Sequence, residues 1–319
     1  GMIPVGTYSR DWYAPDFTAT GSDEDTLFKF SLKYHLGDWG MTYFTRSEGF
    51  RLGGQNSPKA VATGLVPPTY DSDSLTNYEI GLKSELFNNR VQMNIAVFKI
   101  EYEDIQINAR PPSTDDGSTP WWLRGTFNAG TAENVGVEFN GSWLVTDDLK
   151  FEWSLYNADA EFTETTYLNP DDATDDPDNW WFLAGTKMPQ SPELKYRWAL
   201  EYSIPGAFGF DGDMYFRYDE SFQGETYRRP QGWDDENATD EKVPSWRTAN
   251  LQAGMQFDGG WSAALFVRNV WNETASNYVG SDRWWLATDI PGNAERGLQV
   301  QERTLQRPRT ISLQVSKKF

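Results

Sequence analysis

Leu194-Lys195-Tyr196-Arg197-Trp198-Ala199-Leu200-Glu201-Tyr202-Ser203 has a large apolar or aromatic residue at every even position and, Ala199 aside, a polar one at every odd position. Successive side chains point to opposite faces only in extended chain, so this stretch is a strand with one apolar and one polar face. The same alternation runs outward in both directions. Phe28, Phe30, Leu32, Tyr34 and Leu36 interleave with Lys29, Ser31, Lys33 and His35, and Val135, Val137, Phe139 and Trp143 with Asn134, Gly136, Glu138, Asn140 and Ser142. Ala249, Leu251, Ala253, Met255 and Phe257 interleave with Asn250, Gln252, Gly254 and Gln256. In 90–103 two apolar rows compete, Val91, Met93, Ile95 and Val97 against Ala96, Phe98 and Ile100. No comparable stretch repeats apolar residues at helical spacing. The chain reads as all-β.

Strands are predicted over 26–36, 38–50, 73–87, 90–103, 127–144, 149–164, 190–204, 212–224, 244–257, 261–275 and 306–319. The connections between them alternate between short and long. Gly37-Asp38, Asn88-Asn89, Thr146-Asp147-Asp148 and Asp258-Gly259-Gly260 are tight, with a longer member of that set at Pro205–Asp211; about 51–72, 104–126, 165–189, 225–243 and 276–305 are long. A soluble sandwich or propeller also alternates, but it has no reason to gather its long loops at one end. An antiparallel up-and-down transmembrane β-barrel does, with short periplasmic turns and long extracellular loops. It also leaves half of each strand polar toward a wet lumen. Trp39, Tyr43, Trp143, Trp153 and Trp261 near strand ends suit aromatic girdles at the two membrane interfaces. Lys317 interrupts the apolar row Ile311, Leu313, Val315 of the last strand and counts against the barrel.

The composition agrees. Of 319 residues only 38% are apolar, yet 15% are aromatic, a pairing that disorder does not produce. Net charge is 28 − 47 = −19, which argues against a nucleic-acid partner, since phosphate needs a basic face. There is no Cys and one His, His35; disulfides, thiolate sites, His triads and multi-His zinc sites are excluded. His35, on the polar face beside a turn, reads as a solvated or wall-lining residue rather than a ligand. No apolar run is long enough for a spanning helix, and the opening Gly1-Met2-Ile3-Pro4-Val5-Gly6 has no signal-peptide character. Beginning on Gly1, the chain reads as a tag remnant, a processed protein or a piece of a longer one.

Five stretches resemble one family, the TonB-dependent outer-membrane receptors, in the C-terminal part of their barrel. Tyr43-Phe44-Thr45-Arg46-Ser47-Glu48-Gly49-Phe50-Arg51-Leu52-Gly53-Gly54 is similar to its strand and loop entrance, Asn77-Tyr78-Glu79-Ile80-Gly81-Leu82-Lys83 to its "N-Y-E-x-G-x-K" strand, and Asn128-Ala129-Gly130-Thr131-Ala132-Glu133-Asn134-Val135-Gly136-Val137-Glu138 to its "N-A-G" strand. Val267-Arg268-Asn269-Val270-Trp271-Asn272-Glu273, and Pro308-Arg309-Thr310 before a strand ending in Phe319, complete the series. The resemblance implies a 22-stranded barrel closed by an N-terminal plug, with about eleven strands supplied here. Residues 1–319 are then the C-terminal part of the barrel, with the plug absent from this chain. It implies active uptake of a scarce solute, most often a ferric-siderophore-type iron chelate, with an oligosaccharide as the alternative. Its partners would be outer-membrane lipid, the N-terminal barrel half and plug, the TonB complex acting through that plug, and the chelate or other small-molecule ligand. No cofactor or enzymatic activity is expected.

Strand glycines Gly81, Gly130, Gly136 and Gly141 mark bends or close approaches, and the plug is one neighbour that would come close. Lys83, Glu138, Lys150, Glu152, Arg197, Glu201 and Arg268 fall on the polar, lumen-side row, where ion pairing across the wall is the plain reading. The long loops hold Trp121-Trp122, Trp180-Trp181, Trp233 and Trp284-Trp285, with Arg124 and Arg283 beside two pairs. These rings can pack a loop onto the barrel mouth or stack on a ligand, and the cations can meet an anionic chelate or stack on the indoles. Asp171, Asp172, Asp175, Asp176 and Asp178 form an oxygen-rich loop, a weak Ca²⁺ candidate without EF-hand spacing; a solvated acidic loop is the simpler reading. No catalytic residues are assigned. A soluble all-β carbohydrate-binding or hydrolytic protein, with the Trp pairs as its sugar platform, is the reading from a different class.

Overall fold

A computed structural model describes residues 26–109, 123–167, 180–206, 212–227, 242–257, 259–274, 276–284 and 299–318. Eleven strands form one sheet in chain order. They are β1 Lys29–His35, β2 Gly40–Arg51, β3 Asp73–Leu86, β4 Val91–Glu103, β5 Ala132–Leu144, β6 Leu149–Phe162, β7 Leu194–Ile204, β8 Gly212–Gln223, β9 Trp246–Phe257, β10 Trp261–Arg268 and β11 Thr310–Lys317. Every neighbouring pair is antiparallel. Each expected strand has its counterpart in the sheet. Among the described residues β1 and β11 pair on one side only, so the sheet is an open wall.

The tight turns lie where residues tolerate a left-handed backbone. Phe87, Asn88 and Asn89 have φ of 54°, 53° and 62°, and Gly259 and Gly260 have φ of 88° and 81°, conformations that glycine and asparagine adopt at least cost.

Register resolves which face is which. Phe44, Ile80, Val97 and Val137 stand directly opposite one another on β2 to β5. Phe151, Leu200, Tyr218, Leu251, Val267 and Ile311 do the same from β6 to β11. This apolar face is the exposed one: Leu251 is 44% and Leu313 70% accessible. A water-soluble sheet would cover it; a lipid-facing one does not. The contest within β4 is settled by the same register. Val91, Met93, Ile95 and Val97 continue the outer rows, while Phe98 turns inward and stacks on Tyr156, ring centres 6.1 Å apart.

Four strand glycines have a neighbour that sequence reading did not supply. A Cβ on Gly81 would lie 2.5 Å from the Tyr43 ring, on Gly254 2.3 Å from Tyr215, and on Gly141 2.5 Å from Trp153. One on Gly136 would meet Ala158 and Phe98 at 2.3 and 2.8 Å. Side chains of adjacent strands, most of them aromatic rings, fill the gaps a missing Cβ leaves, a known device of curved sheets. No plug is needed to explain these positions. Tyr43 is thus a lumen-side residue rather than part of a girdle. Trp39, Trp143 and Trp261 are exposed beside the tight turns, as girdle residues should be. Lys317 lies 5.0 Å from the centre of the Trp261 ring, so its place in the outer row is a cation–π contact at the wall's rim.

Two strand ends move inward by five residues or more from their expected positions. The strand predicted over 127–144 is split: Gly125–Asn128 pairs with Gln106–Ala109, Gly130 turns the chain at φ 64°, and β5 starts at Ala132. The strand predicted over 261–275 stops at Arg268, because Asn269 and Asn272 adopt φ of 52° and 54°. Each of the five long connections also carries a two-stranded ribbon of its own.

Candidate functional site

Two regions can meet a solute: the inner wall and the extracellular ends of the strands. All seven charged residues expected on the lumen side are on the inner rows. One row runs Lys83, Asn94, Asn140, Ser154, Arg197, Ser221 and Thr248 across β3 to β9. Arg217 on β8 stands opposite Glu201 and reaches Glu201 at 3.1 Å and Glu152 at 2.8 Å, while Lys150 holds the other oxygen of Glu152 at 2.7 Å. Sequence reading placed Glu152, Glu201 and Lys150 but passed over Arg217, which only the strand register brings between the two acids. Beside this network lies a polar recess of about 480 Å³ whose lining includes Asn94, Asn140, Ser154 and Arg197.

At the extracellular ends the protein has a compact apolar core of its own. Leu123, Phe162 and Phe182 are fully buried, Phe162 and Phe182 stacked with centres 5.2 Å apart. Ala60, Val66, Ile105, Phe127, Ala129 and Ala132 complete the cluster. Its members come from three successive connections, 52–72, 104–131 and 163–193, and from the strand ends beneath them. Tyr102, Ala132 and Phe162 occupy one inner register row, so the core continues the lumen-facing side above the wall.

Polar groups tie the same connections together. The Asn56 amide donates to Thr126 O at 2.8 Å and accepts from Thr126 N at 2.7 Å. Arg51 pairs with buried Asp73, whose carboxylate also accepts from the Gln106 N–H at 2.8 Å. The Gln106 amide donates to Leu52 O and Asp71 O, and the Asn128 amide to Asp71 O and Asp104 O. The hydrogen bond to Asp73 holds the Arg51 guanidinium above its ordinary pKa. For Lys187 burial pulls downward, but hydrogen bonds to Asp159 and Glu193 outweigh it and the ammonium is favoured.

The last connection is knotted at its base. Buried Asn269 donates to Glu273 O at 2.8 Å and Arg307 O at 2.9 Å, and its own amide oxygen accepts from Glu273 N at 2.8 Å. Its backbone N–H is held by Asn250, which in turn donates to Asp219 at 2.8 Å.

The candidate ligand residues are only partly placed. Arg124 is exposed, one residue after fully buried Leu123. Trp180 and Trp181 lie on the strand Trp180–Phe182, directly before buried Phe182. Arg283 and Trp284 lie at the end of the strand Ser276–Trp284. Trp121, Trp122, Trp233, Trp285 and the acidic Asp171, Asp172, Asp175, Asp176 and Asp178 fall outside the described residues. The structure brings the described segments next to Trp122, Arg124 and Trp181 into one core.

Residues 5–270 match the family described as TonB dependent receptor-like, beta-barrel. The chain belongs to the TonB-dependent receptors. Among solved structures it resembles the ferric yersiniabactin uptake receptor FyuA from Yersinia pestis, at 17% identity and a TM-score of 0.62 over 90% of this chain and 36% of that one. It also resembles the ferric citrate transporter FecA in its unliganded form, at 18% identity and 0.60 over 92% and 38%, and the ferric-catecholate import receptor Fiu from K12 E. coli, at 15% and 0.58 over 95% and 37%. At such identities the likeness is one of fold. The chain spans little more than a third of the length of these three proteins. The TonB-dependent receptors are transporters of the Gram-negative outer membrane, and the exposed apolar face of this chain is a barrel's lipid face. Three stretches that resembled the family now have physical roles: Arg51 and Asn128 brace the loop core, and Asn269 closes the last loop.

Proposed function

We propose that residues 1–319 form the C-terminal part of the barrel of an outer-membrane receptor that takes up a ferric-siderophore-type chelate. The observation that carries this is the eleven-stranded wall with an exposed apolar face, superposing on receptors for ferric yersiniabactin, ferric citrate and ferric catecholates. The rest of the barrel, a plug and the TonB complex would complete the transporter. Aromatic and cationic loop residues would hold the ligand: Trp121, Trp122, Arg124, Trp180, Trp181, Trp233, Arg283, Trp284 and Trp285. An anionic chelate suits Arg124 and Arg283, and flat ligand surfaces suit indoles.

The test is uptake of radioactive iron into cells deleted for the receptor and complemented with its full-length form. Iron supplied as ferric citrate or a ferric catecholate should enter only the complemented cells. Replacing Trp284 and Trp285 by Ala should weaken uptake while the protein still assembles in the membrane. Uptake of oligosaccharide without any of iron would replace the chelate reading, and unchanged uptake by the double variant would return those rings to loop packing.

A further inference from the structure

We propose that the described parts of three connections, 52–72, 104–109 with 123–131, and 163–167 with 180–193, are one folded unit, a fixed shelf that overhangs the lumen on the side of β2 to β7. A solute would then pass through the remainder of the mouth and not by parting these three loops. Three observations support it. Leu123, Phe162 and Phe182, one from each of two loops and one from a strand end, are fully buried against one another's cluster, together with Ala60 and Val66 from the first loop. Opening any one loop would expose the faces of the other two, so they open together or not at all.

The polar ties are of the same kind. Asn56 is buried and exchanges two hydrogen bonds with the backbone of Thr126 across loops. Pulling these loops apart would strand buried donors and acceptors from both. Finally, the core lies on the inner register row formed by Tyr102, Ala132 and Phe162. The shelf therefore projects over the lumen instead of standing away from it.

The passage of solute rests on the proposed transport function, but the unity of the three loops does not, and two experiments separate them. Lys59 is exposed next to buried Ala60, so trypsin cleavage after Lys59 on whole cells carrying the full-length receptor reports shelf opening. Phe182→Leu, in a different loop, should speed that cleavage about tenfold or more, because the cavity it leaves loosens a shared core. Barrel assembly is checked by heat-modifiable gel mobility. Cleavage at the wild-type rate in an assembled Phe182→Leu receptor would overturn the shelf.

The second experiment exploits the absence of cysteine from residues 1–319, with any cysteine elsewhere in the full-length receptor first replaced by serine. A Cβ at Gly125 would lie 2.4 Å from Val66 Cγ1, so Val66→Cys with Gly125→Cys places two thiols at one inter-loop contact. The bridged receptor should import ferric citrate or a ferric catecholate as fast as the same variant after reduction. Loss of import that reductant restores would show that these loops must part, and would overturn the fixed shelf. Should the wild-type receptor import neither chelate, the proposed function fails while the cleavage assay still judges the shelf.

Discussion

Tyr215 shows how single residues hold this wall. Its ring lies over Gly254 on the neighbouring strand, where a Cβ would come within 2.3 Å of it, and its hydroxyl meets the Gln252 amide. Gly254→Val would force that ring out of a well-packed place, at about 1–3 kcal/mol for overpacking of this kind. A lower urea midpoint of the assembled receptor is expected, with most of the loss recovered when Tyr215→Ala is added. Equal midpoints for Gly254→Val and wild type would show that the ring carries no constraint. Sequence reading identified Gly81 and Gly136 as close-approach positions but not what approaches them. The reason is that alternation fixes the face of a residue, whereas its partner depends on strand register. The same gap hid Arg217, whose two carboxylates lie on other strands. Asn269 was visible as part of a family-like stretch; that it bonds to both ends of a loop needed the fold.

At the scale of elements, the long strands were legible because a period of two survives over ten or more residues. The ribbons in the loops were not. Gly54–Gln55, Thr166–Tyr167 and Lys242–Val243 are two residues each, too short to show any period, and the longer Ser276–Trp284 and Gln299–Leu305 do not alternate in sequence. The loop core was hidden for a related reason: Leu123 and Phe182 directly follow Trp pairs, and nothing local distinguishes buried Phe182 from exposed Leu183 beside it. What the strands make legible is their sidedness, and it is testable. Leu251 lies on the outer face in the row Tyr218, Leu251 and Val267, and Gln252 on the inner face opposite Arg217 and Phe266. An arginine on the lipid face costs about 2–4 kcal/mol at mid-membrane, whereas lumen positions tolerate charge. Leu251→Arg should sharply lower the amount of assembled receptor in outer-membrane fractions, and Gln252→Arg should leave it near wild type. Equal yields from the two would be incompatible with a lipid-facing outer row.

At the scale of the whole molecule, parity governs closure. Ten successive antiparallel pairings join β1 to β11, so β1 and β11 run in the same direction, and direct contact between them would be parallel. Bacterial barrels close through antiparallel neighbours and normally have an even number of strands. Closure by antiparallel pairing therefore requires an odd number of further strands between the two edges, and eleven more would give the 22 of the family's resemblance. A second copy placed head to tail does not help, because it meets the same parallel junction twice. Left open in lipid, both edges would keep unpaired backbone N–H and C=O groups, at several kcal/mol each. Residues 1–319 alone, refolded in detergent, are accordingly expected to aggregate or pair non-natively, and to give neither heat-modifiable gel mobility nor solute uptake in cells. Supplying the missing strands on a second polypeptide should restore compact mobility. A closed monomeric barrel made from residues 1–319, whether through a parallel seam or an added strand from the first 25 residues, would defeat the parity argument and with it the assignment of this chain as half of a larger wall.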